Sequence, residues 1–179
     1  MIPYSEYFKV IYLHEVGSSK NGGLINHPKD PGGITKYGIS LRFLKSQGLD
    51  IDGDGDVDAD DVRALTFDKS GLIYKQYFFN RLYRLSDGLL KLHIFDMSVN
   101  AGNKTAVKIL QKSLCISDDG IIGNQTLQAI DRQSQVNNVA GVYALARMDY
   151  YKFIVDRNPD LSCFLNGWEN RVRTTQFIK

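Results

Sequence analysis

The chain has 179 residues, 43% of them hydrophobic, with 22 basic and 20 acidic side chains and two cysteines. That length fits one domain, or one domain with a small appended lobe, large enough for a proper core. No apolar run reaches the roughly 18 residues of a membrane-spanning helix, so no stable membrane insertion is expected, and two cysteines make no disulfide framework.

Helical periodicity dominates the chain in order. Residues 4–16 predict a first helix with Phe8, Ile11 and Tyr12 on one face and Gly17 at its end. Residues 17–39 hold six glycines and two prolines, which predicts loop or irregular hairpin. Ser40 is placed to cap a short helix that stops at Gly48. A helix is expected from Asp58 to Leu65, and an aromatic-rich one over 68–84 with Leu72, Tyr74, Tyr77, Phe78 and Leu82. Segments 89–101, 104–115 and 124–133 also read as helical. The longest stripe is Val139, Val142, Tyr143, Ala146, Tyr150, Phe153 and Ile154, one face of a long helix. A final helix is expected to hold Trp168, Val172 and Phe177. Cys115 and Cys163 sit among apolar neighbours and are expected as buried free thiols. Residues 1–15 lack the features of a secretion signal, so a cytoplasmic origin is expected.

Residues 50–61 carry the most specific local pattern. With Asp50 as position 1, Asp52 stands at 3, Asp54 at 5, Gly55 at 6, Asp56 at 7, Asp58 at 9 and Asp61 at 12. This is the ligand spacing of an EF-hand calcium loop, with glycine at the sharp turn and Val57 as the inward hydrophobe. Position 12 is Asp rather than Glu, a shorter arm. A structural Ca2+ is expected here; magnesium, or a solvated acidic loop, are the alternatives. Without the seven acidic residues of this loop, 22 basic side chains face 13 acidic ones. The body is therefore basic, which favours an anionic partner: nucleic acid, an anionic polysaccharide or a lipid surface.

Glu15 stands where the first helix ends and the glycine-rich segment begins. A carboxylate there meets the negative end of the helix dipole, a placement against local preference that points toward function; a solvated glutamate at a frayed end is the plain alternative. His14, His27 and His93 lack zinc-site spacing.

The order Glu15-x-Gly17, then Asn26-x-Pro28-x-Asp30-x-Gly32-Gly33-x-Thr35-x-Tyr37-Gly38-Ile39, resembles the signature of glycoside hydrolase family 108, the N-acetylmuramidases common among bacteriophage endolysins. Phe95-Asp96, Asn100-Ala-Gly102, Leu110-Gln111, Asp119-Gly-Ile-Ile-Gly123-x-x-Thr126 and Gly167-Trp168-x-x-Arg171 are similar to that family's C-terminal half. Two departures stand out. The segment between Glu15 and Asn26 carries extra residues, and the acidic loop looks like an insertion behind the catalytic segment.

The resemblance implies a mainly α, lysozyme-like fold with a short irregular or β-hairpin segment after helix one. Residues 1–90 would be a catalytic lobe with the calcium loop inserted at 50–61, and 91–179 a helical peptidoglycan-binding half of the same compact unit. It implies hydrolysis of the β-1,4 bond between N-acetylmuramic acid and N-acetylglucosamine, with Glu15 as general acid. Asp30 is the candidate second carboxylate, though it also reads as a turn residue between prolines, and Thr35 is the candidate holder of the attacking water. Tyr37 and Asn100 would contact sugar by stacking and by amide hydrogen bonds, while Asp96 is expected in a buried polar network. Carboxylates about 5 Å apart would mean retention, and about 6.5–9.5 Å inversion. The expected partner is bacterial peptidoglycan rather than nucleic acid, met by a monomer that leaves the host cytoplasm through a separate pore, a holin. A non-catalytic, calcium-stabilised peptidoglycan-binding module and a lytic transglycosylase are the other readings. A calcium sensor is disfavoured by the lone loop.

Overall fold

The first helix, α1 (Tyr4–Val16), closes where Gly17 takes a left-handed turn, φ 57°, and its N–H donates to Leu13 O at 2.9 Å. A computed structural model describes residues 1–19, 21–26, 33–86 and 88–178. After α1 come β1 (Thr35–Lys36), β2 (Ile39–Ser40), α2 (Leu41–Gln47), α3 (Ala59–Ala64), α4 (Phe67–Tyr77), α5 (Leu89–Ala101), α6 (Asn103–Ser113), α7 (Asn124–Ser134), α8 (Val139–Arg157) and α9 (Ser162–Thr174). The two strands pair antiparallel, Thr35 opposite Ser40 and Lys36 opposite Ile39. Among the described residues no helix is long and apolar enough to cross a membrane.

The chain divides into two units, one of residues 8–74 and one of residues 1–7 with 75–179. The core of the first holds Phe8, Val10, Ile11, Ile34, Ile39, Leu44, Val62, Leu65 and Ile73. Gly71 on α4 lets the Phe8 ring lie close, since a Cβ there would meet it at 3.1 Å. Ser40 caps α2 by accepting from Phe43 N, and Gly48 ends it at φ 62°.

The second unit is organised around α5, which is buried from Lys91 to Ser98 without interruption. Such a helix has no polar face and is packed on all sides; α6 and α8 both lie against it. Asp96 sits at its centre, fully buried, and joins three helices. Arg147 of α8 donates to its Oδ2 at 2.5 Å, and the Nε of Arg171 on α9 donates at 3.0 Å to Oδ1. Arg147 Nη1 also lies 3.0 Å from His93 Nδ1, so that imidazole carries its proton on Nε2. Gln111 of α6 holds the following turn, donating to Asp119 at 2.7 Å and accepting from Gly120 N at 2.8 Å. This accounts for the spacing of Gln111, Asp119 and Gly120 in the sequence.

Four expectations need correction. The helix expected over 68–84 ends at Tyr77, because Phe78 leaves helical geometry (φ −123°, ψ −58°) and a short 3-10 turn follows over Phe79–Leu82. Phe177 lies beyond α9, its ring edge-on to Tyr7 at 5.1 Å. On α8 the buried face is Val139, Ala140, Tyr143, Arg147 and Tyr151, leaving Phe153 exposed. An arginine takes a core position there because Asp96 requires a partner. Both cysteines are exposed: Cys115 sits at φ 55° just past α6, and Cys163 in the first turn of α9.

Candidate active site

Glu15 lies in the last turn of α1, half-buried, and its carboxylate rests against the hairpin turn. The turn residues Tyr37 and Gly38 have φ of 53° and 74°, the two positive values of the tight turn that suits a two-residue hairpin. A Cβ on Gly38 would stand 2.5 Å from Glu15 Oε2, 2.8 Å from its Cγ and 2.6 Å from the Tyr74 hydroxyl. Only glycine both adopts this conformation without strain and leaves room for the carboxylate.

Contacts from α4, α3 and the glycine-rich segment hold the hairpin. Tyr74 of α4 donates its hydroxyl to Tyr37 O at 2.8 Å. Tyr37 N donates to Gly22 O at 2.6 Å, and the Tyr37 ring packs on the bare Cα of Gly22, where a Cβ would sit 2.5 Å from it. Lys36 reaches back to α3, donating to Arg63 O at 2.5 Å and Leu65 O at 2.7 Å. Ile25 exchanges both backbone hydrogen bonds with Thr35, at 2.9 and 2.8 Å, bringing the glycine-rich segment alongside β1.

The structure thus brings Glu15, Thr35 and Tyr37 onto one α1–hairpin assembly. Thr35 is half-buried and its hydroxyl donates to Gly33 O at 3.3 Å. Tyr37 is half-buried, with Gly22 against its ring and Tyr12 at 6.1 Å. Asp30 lies outside the described residues. Asn100 belongs to the second unit, exposed near the end of α5, where its Oδ1 accepts from the Tyr151 hydroxyl at 2.8 Å. Gly38 is a residue of the family-like sequence pattern with no role assigned from it. Tyr74, which touches the same Cα, carried only the general signal of an aromatic helix.

The acidic loop forms two groups whose carboxylate oxygens lie within 4.8 Å of one another: Asp50, Asp52, Asp54 and Asp56, Asp58, Asp61. Gly53 and Gly55 take φ of 84° and 100°, and their N–H groups donate to Asp50 at 2.6 and 2.9 Å. Asp61 is buried and accepts from Ile51 N at 2.5 Å and Asp58 N at 2.6 Å. Burial alone would hinder its ionisation, but these N–H donors outweigh it and hold the carboxyl below the ordinary range. Asp52 is shifted upward by desolvation and by the carboxylates of Asp54, Asp61 and Asp50; Asp56 is raised chiefly by Asp54. A crowded, oxygen-only donor set with two ionisations disfavoured by neighbouring charge fits a hard divalent cation.

These elements, mainly α with one small antiparallel hairpin after the first helix, form a lysozyme-like helical fold. Residues 6–102 match the family profile described as Glycosyl hydrolase 108, and residues 105–173 match that described as Predicted Peptidoglycan domain. The chain belongs to glycosyl hydrolase family 108. It is a glycoside hydrolase, and its substrate partner is peptidoglycan. Among solved structures it is similar to that described as "Structure of Brucella abortus SagA", at TM-score 0.73 and 27% identity, over 96% of this chain and 91% of that one. A comparison with curated proteins finds no match.

Proposed function

We propose that the protein is an N-acetylmuramidase that hydrolyses the β-1,4 bond from N-acetylmuramic acid to N-acetylglucosamine, with Glu15 as general acid. The reading rests on one observation: the Glu15 carboxylate lies against the Cα of Gly38, in a turn fixed from α4, Gly22 and α3. A proton donor held by rigid elements is what glycosidic cleavage needs. Glu15 gives its proton to the departing glycosidic oxygen, the C1–O bond breaks through an oxocarbenium-like state, and water supplies the hydroxyl at C1 while a carboxylate takes its remaining proton. Thr35, on the strand leading into the turn, holds that water, and Asp30 is the second carboxylate.

Residues 50–61 bind a structural Ca2+ through Asp50, Asp52, Asp54, Asp56, Asp58 and Asp61. The ion acts on the site through a chain of contacts. Asp58 and Asp61 start α3 with reciprocal caps, α3 ends on Lys36, and Lys36 belongs to the hairpin that meets Glu15. Calcium then orders the hairpin and adds no chemistry of its own.

Residues 1–90 serve as the catalytic lobe and 91–179 as the wall-binding half, with Asn100 and Tyr37 touching sugar. The protein works as a monomeric phage endolysin, held in the host cytoplasm until a holin opens the way to the wall. Its basic body then favours the anionic polymer.

The test is product analysis on purified peptidoglycan. Wild type should release reducing ends at N-acetylmuramic acid, and Glu15→Gln should release none while still co-sedimenting with the wall. Anhydro products by mass spectrometry would mean a transglycosylase, and binding without any release by wild type would leave only a binding module.

A further inference from the structure

Three aromatic rings of the second unit are stacked in series. Tyr151 of α8 lies 5.0 Å from Trp168 of α9 at 20°, and Trp168 lies 5.7 Å from Phe164 at 29°. The pairs Tyr4–Phe79, Tyr7–Phe177 and Phe79–Phe95, by contrast, are edge-on. This series also runs outward: Tyr151 is 1% exposed, Trp168 half-buried and Phe164 53% exposed.

At its inner end stands Asn100. The Tyr151 hydroxyl donates to Asn100 Oδ1 at 2.8 Å and also contacts Met97 S at 3.3 Å. That bond commits the amide oxygen to the protein, so the exposed Asn100 has its Nδ2 hydrogens to donate. The scaffold beneath is rigid, because Asp96 ties α5, α8 and α9 together through Arg147 and Arg171, and Arg171 is one turn along α9 from Trp168.

We propose that Asn100, Trp168 and Phe164 form a saccharide site that seats neighbouring N-acetylhexosamines of the glycan strand. The C–H face of one pyranose packs on the outward Phe164 ring at the edge of Trp168, and Asn100 Nδ2 donates to the acetamido carbonyl of a neighbouring residue of the strand. An apolar face beside one oriented amide donor is the pairing such a sugar requires, since its ring is apolar on its faces and its N-acetyl group offers a strong acceptor. Residues 105–173, which match the peptidoglycan domain profile, include all three stacked rings. The contrast with Phe153 of α8 supports the choice. Phe153 is equally exposed, but its ring already carries the Arg157 guanidinium at 4.7 Å. The proposal rests on peptidoglycan as substrate, and not on Glu15 as the acid.

Trp168 is the sole tryptophan in the chain, so its emission reports on this site alone. Full-length Glu15→Gln protein is titrated with a soluble N-acetylglucosamine oligomer while Trp168 emission is followed. A saturable change is expected, with an apparent affinity about tenfold weaker in Phe164→Ala, restored in Phe164→Tyr and unaltered in Phe153→Ala. An emission that stays flat across the titration overturns the proposal, as does a Phe164→Ala curve that matches its parent. A wild type releasing no reducing sugar would refute the muramidase reading and leave this titration untouched.

Discussion

Gly38→Ala separates positioning of Glu15 from general stability. At φ 74° a Cβ is strained by about 1–2 kcal/mol whatever surrounds it. It would also sit 2.5 Å from Glu15 Oε2, where ordinary contact needs roughly 3.4 Å or more. The acid must therefore move by about 1 Å, a displacement able to cost on the order of 100-fold in rate. Gly48→Ala provides the comparison: its φ is 62° and nothing lies within 4 Å of the added carbon. Strain alone should lower both melting temperatures by roughly 2–8 °C. Turbidity loss of wall suspensions, measured well below both melting points with calcium present, should fall about 100-fold for Gly38→Ala and remain near wild type for Gly48→Ala. Equal activity in the two variants would show that the contact between turn and acid is irrelevant to catalysis.

The acidic loop carries a pH signature. Folding raises the Asp52 and Asp56 carboxyls, so without calcium the folded state holds their protons more tightly than the unfolded chain. Their contribution is favourable in acid and is lost as pH rises through and above the ordinary aspartate range. In chelator, wild type should lose melting temperature relative to Asp56→Asn over that window. Saturating calcium should raise the wild-type melting temperature and reverse the order of the two proteins. Parallel curves in chelator would refute the repulsion, and no response to calcium would refute the metal site. Asp96→Asn should destabilise by about 3–5 kcal/mol in urea denaturation, because it leaves Arg147 and Arg171 without their shared buried counter-charge. A loss below about 1 kcal/mol would show that the pair is not what joins the helices.

Local chemistry made much of this protein legible. Ser40 and Gly48 bracket α2 because a hydroxyl cap and a left-handed glycine act within a turn of their own positions. The spacing of Asp50 to Asp61 carries its oxygen donors in one short segment, so the two carboxylate groups follow from the sequence order alone. Glu15 was legible as a residue set against its helix dipole.

Tertiary structure decided the rest. The hydrophobic stripe of α8 suggested Phe153 as a core residue, yet the helix buries Arg147, because an aspartate on α5 offers more to an arginine than solvent does once both are enclosed. No window of sequence around residue 147 contains Asp96. Similarly, Tyr-Gly at 37–38 is a recognisable turn, but that its glycine must be bare because a carboxylate from α1 and a hydroxyl from α4 meet there is a fact of three distant segments. Backbone preferences and ligand spacing act over a few residues and are written in order along the chain. Partnerships between buried charges and the clearance around an acid arise only when separated elements meet.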